Sequence, residues 1–348
     1  MKTLQISAIA GLVSLALVSC GGDSGSGAST TAPLTLSVTD APVDDVKEVV
    51  VTFGKVALLS QGGDAPRVFD VYLTDDEGNP VDEEGNPIPD GEDPVPISVN
   101  LLDYQGDNVM PLLEDEIVNV GEYQMCVFAN DGDHPTHPSY VIKDDPDSDD
   151  ELTLELTVKG EGTCPQGVGR EPNAGVLFFN KSFTINQQTN NYAIEFDLRR
   201  GLKNQSTFPN YTIQRTSITL INTAETGNIK GTITADKFTS CNDPLSDAAV
   251  QSVYLYESGT TLENMAPIGG TDLVKPITSA SVGDKNAQDV YEFAFGFLDA
   301  GSYNLGYTCT AQHDDGEEDS DPVAAGFTIY DVITDVSVVV NEDTNVEF

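Results

Sequence analysis

The chain has no tryptophan, only three histidines and few basic residues among its 348 residues. Carbohydrate-binding sites of β-proteins commonly use exposed aromatic rings that stack on the sugar, so the absence of tryptophan argues against a carbohydrate site of this kind. The shortage of histidine leaves few general bases and few ligands for transition metals. Lysine and arginine number 16 against 57 acidic residues, a formal net charge of −41, which makes nucleic acid and anionic membrane surfaces poor partners.

Familiar catalytic motifs are also missing. The sequence contains no lipase-type Gly-x-Ser-x-Gly, no metalloprotease His-Glu-x-x-His and no Cys-x-x-Cys. The tetrapeptide GDSG at 22–25 matches the surroundings of a trypsin-like nucleophile. It lies in a glycine- and serine-rich stretch, where no fold could orient a base against Ser24. The sequence therefore predicts a protein without enzymatic activity and without a cofactor.

The N-terminal segment has the pattern of an export signal. Residues 1–19, MKTLQISAIAGLVSLALVS, place an apolar stretch broken by small and polar residues after Lys2. This stretch is short for a transmembrane span of about 20 residues, which favours a secretory signal peptide. Its end, LVSC, resembles the bacterial lipobox, and the resemblance implies that Cys20 carries a diacylglycerol and becomes the mature N-terminus. Gly21 then implies sorting to the outer membrane, and residues 20–32 form a lipidated Gly/Ser tether.

Alternation of apolar and polar residues with a period of two dominates the rest of the chain. Examples are LTLSVTD (34–40), LTLELTV (152–158), YTIQRTSITLI (211–221) and AVQSVYLYES (249–258). Such segments, bounded by Gly, Pro, Asn and Asp, are typical of strands, and no long stretch has a helical period with caps. The length allows two cores. The sequence thus predicts an all-β fold of two β-sandwich domains in series, over residues 33–222 and 227–348.

The five cysteines are an odd number. If Cys20 is lipidated, four remain in an oxidising compartment and can form two disulfides. If the signal is cleaved at another bond, Cys20 stays free or enters a disulfide. Four cysteines allow three connectivities, and the division into two domains favours a bridge between Cys126 and Cys164. The second bridge then joins Cys241 to Cys309. Each bridge closes a long loop, and by restricting the unfolded chain it stabilises the folded protein by on the order of 4 kcal/mol.

Longer segments resemble known families. The order of LTLSVTDAPVDDVKEVVVTFGKVAL, ISVNLLDYQGD, VGEYQMCVFA and NYAIEFDLRRGL resembles a bacterial lipoprotein family catalogued as domain of unknown function 4382, over roughly residues 33–222. Downstream, GNIKGTITA, DAAVQSVYLY and YEFAFGFLDAGSYNLGY resemble the carboxypeptidase regulatory-like domain. The second resemblance implies a transthyretin-like β-sandwich acting as an accessory module. Neither resemblance implies a known reaction.

The segment NDGDHPTHPSYVIKDDPDSDDE (130–151) concentrates side chains that bind metals. The candidates for a transition metal are Asp131, Asp133, His134 and His137. The candidates for calcium, which prefers hard oxygen ligands, are Asp145, Asp147 and Asp149. The second set is not an EF-hand, because Asp150 and Leu156 stand where that loop needs glycine and a bidentate glutamate. These candidates support an alternative function, a metal-dependent hydrolase or metalloenzyme using the His134/His137 loop.

Two other charged segments allow a structural and a functional interpretation. The acidic loop at 75–94 repeats Glu-Gly-Asn-Pro, and such a loop is more often a solvated insertion than a binding surface. Asp197, Arg199 and Arg200 form the only tight basic cluster with an acid beside it. For this cluster a structural ion pair at a strand end is favoured over a functional site.

The function predicted from the sequence is that of a lipid-anchored protein of the cell envelope. It is expected in the outer membrane, facing either the periplasm or the cell surface, and it contacts the membrane through Cys20. There it serves as a non-enzymatic binding, adhesion or scaffold module for a protein or glycan ligand. Calcium at the acidic loops is a further expectation.

Overall fold

A computed structural model gives the fold over most of the chain from residue 30 onward. The predicted tether at 20–32 is too long at its C-terminal end, because Thr31 and Ala32 belong to the first strand and Ala32 is buried in the core. The described residues are 30–41, 46–145, 148, 150–159, 162–204, 210–245, 249–269, 273–283, 290–314 and 321–348. Cys20, Asp147 and Asp149 lie outside them. Strands dominate, so the predicted all-β class is confirmed. Within the described ranges, none of the helices has the length and hydrophobicity needed to span a membrane.

Thirteen strands form two sheets in the first part of the chain, here called the N-terminal sheets. Their bounds are β1 (Thr31–Ala41), β2 (Glu48–Ser60), β3 (Arg67–Asp70), β4 (Ile97–Asn100), β5 (Met110–Asn119), β6 (Gly121–Asn130), β7 (Tyr140–Asp144), β8 (Glu151–Val158), β9 (Ala174–Ile185), β10 (Asn190–Asp197), β11 (Leu202–Asn204), β12 (Tyr211–Ile213) and β13 (Ile218–Asn222). The smaller sheet has the order β13-β10-β1-β5. The larger has the order β11-β12-β8-β7-β2-β6-β9, and β3 and β4 also pair with β2.

The core of this part lies between the two sheets. In β1 the alternating residues Leu34, Leu36 and Val38 are at most 1% exposed and face this core. In β10, Ile194 and Phe196 face it in the same way. Because side chains alternate between the two faces of a strand, the polar residues between them point away from the core. β10 therefore presents acidic side chains on its outer face.

The remaining strands form two further sheets, here called the C-terminal sheets. Their bounds are β14 (Thr226–Thr234), β15 (Ser252–Glu257), β16 (Thr278–Ser281), β17 (Val290–Asp299), β18 (Gly301–Thr308), β19 (Ile329–Val338) and β20 (Asp343–Glu347). Their orders are β17-β14-β20 and β16-β15-β18-β19, around a second core. Among the described residues, no strand of the N-terminal sheets pairs with one of the C-terminal sheets. The domain boundary at residues 222–227 stays a prediction.

In the described part of the chain, three short helices connect these strands: α1 (Leu198–Gly201), α2 (Ala235–Ser240) and α3 (Pro322–Ala325). The same part of the chain contains two disulfides, Cys126–Cys164 and Cys241–Cys309, which are the pairs favoured from the sequence. The first joins β6 to the loop before β9 and belongs to a small satellite core. The second joins the end of α2 to the residue after β18. Each bridge stays within one set of sheets.

One expected strand is divided between two sheets. The segment 211–221 was predicted as one strand, and this prediction is wrong, because β12 pairs with β8 while β13 pairs with β10 in the other sheet. Between them Arg215–Ser217 forms a 3-10 turn, in which the hydroxyl and the amide of Ser217 donate to the carbonyl of Gln214. The chain therefore crosses from one side of the core to the other at this turn.

The N-terminal and C-terminal sheets pack closely against each other. A Cβ at Gly296 would lie 2.1 Å from the carbonyl oxygen of Gly106, so the two backbones meet where only glycine fits. Arg199 crosses the same interface and is 6% exposed. Its guanidinium donates to the hydroxyls of Ser279 (2.8 Å) and Ser252 (3.1 Å).

Candidate functional site

The histidine loop does not form a metal centre among the described residues. The amide of His137 donates to Nδ1 of His134 over 3.2 Å, and the two ring centroids are 6.4 Å apart. Asp131 has a buried Oδ1 without a hydrogen-bond partner. Burial is the main cause that raises the pKa of its carboxyl, and the nearby charge of Asp133 is the second. Burial lowers the pKa of His134, which favours a neutral ring.

In the part of the chain that the structure describes, no group of three or more His, Cys, Asp or Glu side chains is placed to hold a metal ion. Asp145 accepts a hydrogen bond from the Ser148 hydroxyl at 3.0 Å, while its partners Asp147 and Asp149 lie outside the described residues. Metal binding at either set stays a prediction. The described residues offer no support for the metalloenzyme alternative.

The acidic loop at 75–94 is organised by its own carboxylates. Oδ1 of Asp75 accepts hydrogen bonds from the amides of Glu77 and Asn79 at 2.9 and 2.8 Å. Asp82 repeats the arrangement one Glu-Gly-Asn-Pro unit later. Hydrogen bonds to Asn79 and to Asn86 respectively are the main causes that lower the pKa values of the two carboxyls. These contacts account for the repeat as a pair of turns in an exposed loop.

The cluster at 197–200 has a structural role. Asp197 accepts from the amide of Arg200 at the start of α1, and its Oδ2 lies 3.6 Å from Arg200 Nε. Arg200 also donates to the carbonyls of Pro276 and Ile277 at 3.0 and 3.1 Å. Together with the buried Arg199, it ties the N-terminal sheets to the C-terminal ones.

A concave surface lies beside this cluster, and we call it the β9–β13 groove. It has a volume of about 1270 Å³, and its walls are formed by residues 177–184 of β9, 215–222 with β13, and 296–303 at the β17–β18 turn. β9 is the edge of the larger N-terminal sheet and β13 the edge of the smaller one. The groove therefore runs where the two sheets of the sandwich are left unclosed.

The groove exposes apolar side chains that also pack on the main core. Phe179 and Phe183 come from β9, and Ile218 and Leu220 from β13, and all four are partly buried against the core between the sheets. The ring of Phe183 lies edge-on to that of Tyr192, with centroids 4.8 Å apart. Apolar groups are thus left in contact with solvent at a continuous seam, which is typical of a binding surface.

The third wall carries a strained aromatic residue. Phe297 has φ of 55°, a left-handed backbone conformation that is an outlier for a bulky side chain. Its amide donates to Oδ1 of Asn228 at 3.0 Å, and Nδ2 of Asn228 donates to Asp343 at 2.8 Å. These contacts hold a half-buried ring in the wall of the groove. Strain of this kind collects at functional sites.

The groove is polar as well as apolar. Glu195 also lines the groove, and burial, reinforced by Asp197, raises the pKa of its carboxyl to about 7. Three exposed acids, Glu225, Glu257 and Asp299, lie at its rim. A ligand in this groove would meet the carboxyl groups of the half-buried Glu195 and the buried Asp197, and negative charge from the exposed acids.

Comparison with known proteins assigns a family to the chain. Residues 31–214, more than half of its length, match the family described as a domain of unknown function, DUF4382. The chain belongs to the DUF4382 family. The matched region contains β9 and Glu195, while β13 and the β17–β18 turn follow it. The groove is therefore built from the DUF4382 region and from chain beyond it.

No curated protein matches the chain. Among solved structures, a candidate adhesin from Bacteroides ovatus is 11% identical, covers 84% of this chain and 82% of its own, and has a TM-score of 0.15. A candidate cell adhesion protein from Parabacteroides distasonis is also 11% identical, covers 90% and 85%, and has a TM-score of 0.16. These TM-scores are too low for the two structures to indicate the fold or the function of this chain.

A second, smaller cleft of about 760 Å³ lies at another contact between the DUF4382 region and the C-terminal sheets, between residues 105–108 and strands β14, β17 and β20. Its cation, Lys230, already pairs with Asp107 at 2.8 Å and Asp343 at 2.9 Å. The hydrogen bond from Lys230 to Asp107 is the main cause, and the one to Asp343 the second, of a rise in the pKa of Lys230 to about 12. This cleft holds a structural contact, so the β9–β13 groove is the better candidate site.

Sequence reasoning did not find the groove. Its residues come from three strands far apart in the chain, and no local pattern shows that β9, β13 and β17 meet. One signal was available in NYAIEFDL, where Glu195 and Asp197 alternate with Ile194 and Phe196. That pattern gives an acidic face on a strand whose other face is core, and it marks the outer face of β10.

Proposed function

We propose that this protein is a lipid-anchored envelope component that binds a ligand in the β9–β13 groove without transforming it. The observation that carries the proposal is the groove itself. Two sheet edges and a strained aromatic wall enclose about 1270 Å³ and expose apolar side chains of the core. Concave surfaces that expose apolar side chains beside polar groups are a common form of binding site.

Binding is favoured over catalysis by the chemistry of the lining. Among its described residues there is no histidine or cysteine, and the hydroxyl of Ser217 is used in donating to Gln214. Asp197 is engaged as the cap of α1 and as the partner of Arg200. Within the described lining, no hydrogen bond joins a hydroxyl or an amine to a carboxylate that could act as its base, as acyl transfer requires.

The anchor and the compartment belong to the same proposal. The lipobox-like end of the signal segment supports attachment of Cys20 to the outer membrane, with the glycine- and serine-rich segment before β1 as a tether. Two disulfides support a fold matured in an oxidising compartment. The C-terminal sheets would serve as an accessory module of the transthyretin-like kind that supplies one wall of the groove.

Site-specific photo-cross-linking tests the proposal. A benzoylphenylalanine at Thr219, an exposed residue of β13 in the groove, is compared with one at Thr153, an exposed residue of β8 outside the lining. Both full-length, lipidated variants are irradiated in the cells that produce the protein. We expect a discrete adduct from position 219 and none from 153. Equal adducts at both positions, or none at either, would contradict a binding role for the groove.

A further inference from the structure

We propose that the ligand of the β9–β13 groove is an extended polypeptide segment of another protein, which adds as a strand to the free edge of β13. This inference rests on the proposed function and specifies its ligand. It commits to a segment with apolar residues at alternate positions and basic or neutral residues between them.

The sheet edges at the groove supply the main-chain part of the argument. β13 pairs with β10 on one side and β9 pairs with β6 on one side. In the described ranges no strand pairs with the opposite edge of either. All five residues of β13 line the groove, so a row of backbone donors and acceptors faces it. Such an edge is a template for an added strand.

The side chains of the groove specify the pattern of the added strand. Ile218 and Leu220 of β13 turn toward the core, whereas Thr219 between them is exposed. Phe179 and Phe183 of β9 approach the same core from the other sheet. A strand laid beside β13 would direct every second side chain into this apolar seam and the others outward. Alternating apolar residues would close the sandwich at its open side.

Charge complementarity specifies the outward positions. Glu225, Glu257 and Asp299 are exposed at the rim. The described lining contains five acidic residues and three basic ones, Lys181, Arg200 and Arg215. A formal charge of −41 makes a second copy of this chain an unfavourable partner, because two such copies repel each other. The expected partner segment therefore has basic or neutral residues at its outward positions and comes from a different protein.

Synthetic peptides test this inference on the full-length protein. The probe is a nine-residue peptide in which valine alternates with lysine or threonine, and binding is followed by fluorescence anisotropy. The first control has the same composition without the alternation. The second carries N-methyl groups along one edge, which removes its main-chain donors on that edge. We expect the probe to bind at least tenfold more tightly than the scrambled peptide, and methylation of the docking edge to abolish binding.

Variants with matched charge locate the peptide. Glu225→Gln, Glu257→Gln and Asp299→Asn together remove three rim carboxylates. Asp76→Asn, Glu83→Gln and Glu92→Gln remove three exposed carboxylates from the 75–94 loop instead. We expect the rim variant to weaken binding about five- to tenfold at low salt, as for a few exposed ion pairs, and the loop variant to change it less than twofold.

Several results would overturn the inference: no binding of the probe at millimolar concentration, equal binding of the scrambled or methylated peptides, or equal effects of the two charge variants. Binding of maltohexaose or chitohexaose in place of the peptides would assign the groove to glycans. In those cases a groove-specific adduct at position 219 would still support the proposed function, so the two failures are distinguishable.

Discussion

Individual carboxyl groups of this acidic protein lie in different environments, which shift their pKa values in opposite directions. Asp75 and Asp82 satisfy their charge with backbone amides at exposed turns, and hydrogen bonding lowers the pKa values of both. Glu195 differs, because it lines the groove with Asp197 nearby, and burial first and Asp197 second raise the pKa of its carboxyl to about 7. The first two ionise at little cost, whereas ionisation of Glu195 opposes folding.

Glu195→Gln is expected to stabilise the protein at alkaline pH. The unfolded chain releases this proton near its ordinary pKa of 4.5, whereas the folded protein holds it until about pH 7. The Glu195 carboxyl therefore reduces stability progressively from pH 4.5 to 7, and the full cost is present above pH 7. The full pKa difference corresponds to about 3 kcal/mol, and solvent screening of the partly exposed carboxyl reduces it. We therefore expect the variant to gain about 2 kcal/mol at pH 8 and nothing near pH 4, measured by urea unfolding. Glu225→Gln, at the exposed rim, should show no such difference, and equal profiles would refute the assignment.

At the scale of elements, alternation in the sequence identified many strands but not their partners. LTLSVTD and LTLELTV became β1 and β8 as expected. The parallel pairing of β1 with β10, in which Leu34 lies opposite Asn190, has no local signature. The division of 211–221 between two sheets also escaped prediction, because both pieces alternate and only the turn at Arg215–Ser217 separates them. The groove depends on these pairings, so it could not be predicted.

The contact between the two sets of sheets depends on small residues. Gly296→Ala would place a Cβ 2.1 Å from the carbonyl oxygen of Gly106, so the backbones must separate. We expect a loss of about 1–3 kcal/mol in urea unfolding and faster proteolysis between the sheets. Gly283→Ala is the control, because its Cβ would lie 3.4 Å from the nearest atom, an ordinary contact. Equal unfolding midpoints for the two variants would show that this approach is not required.

For the whole molecule, charge is the dominant property. A formal charge of −41 opposes compaction, and salt shortens the reach of the field from about 30 Å at 0.01 M to about 8 Å at 0.15 M. We expect the melting temperature to rise with sodium chloride over this range. Millimolar calcium at constant ionic strength should add a further rise if the acidic loops bind it. If magnesium raised the melting temperature as much as calcium, general charge screening would explain the effect without a specific calcium site. If neither sodium chloride nor calcium changed the melting temperature, there would be no reason to expect bound calcium.

The anchor is tested at the same scale. Cys20→Ser should abolish incorporation of labelled palmitate and release a soluble protein, because the thioether needs the thiol of this residue. The matched change Ser24→Ala in the tether should leave labelling intact. Undiminished labelling of the cysteine variant would refute lipidation at Cys20.

Amide hydrogen exchange tests the central claim, that the β9–β13 groove is where a ligand binds. Exchange is compared for the full-length protein with and without the alternating peptide at saturation. We expect slower exchange in residues 218–222, the free-edge strand β13, and unchanged exchange in the loop at 131–137. Protection of the 131–137 loop, with β13 unchanged, would contradict the account and direct attention to His134 and His137 instead.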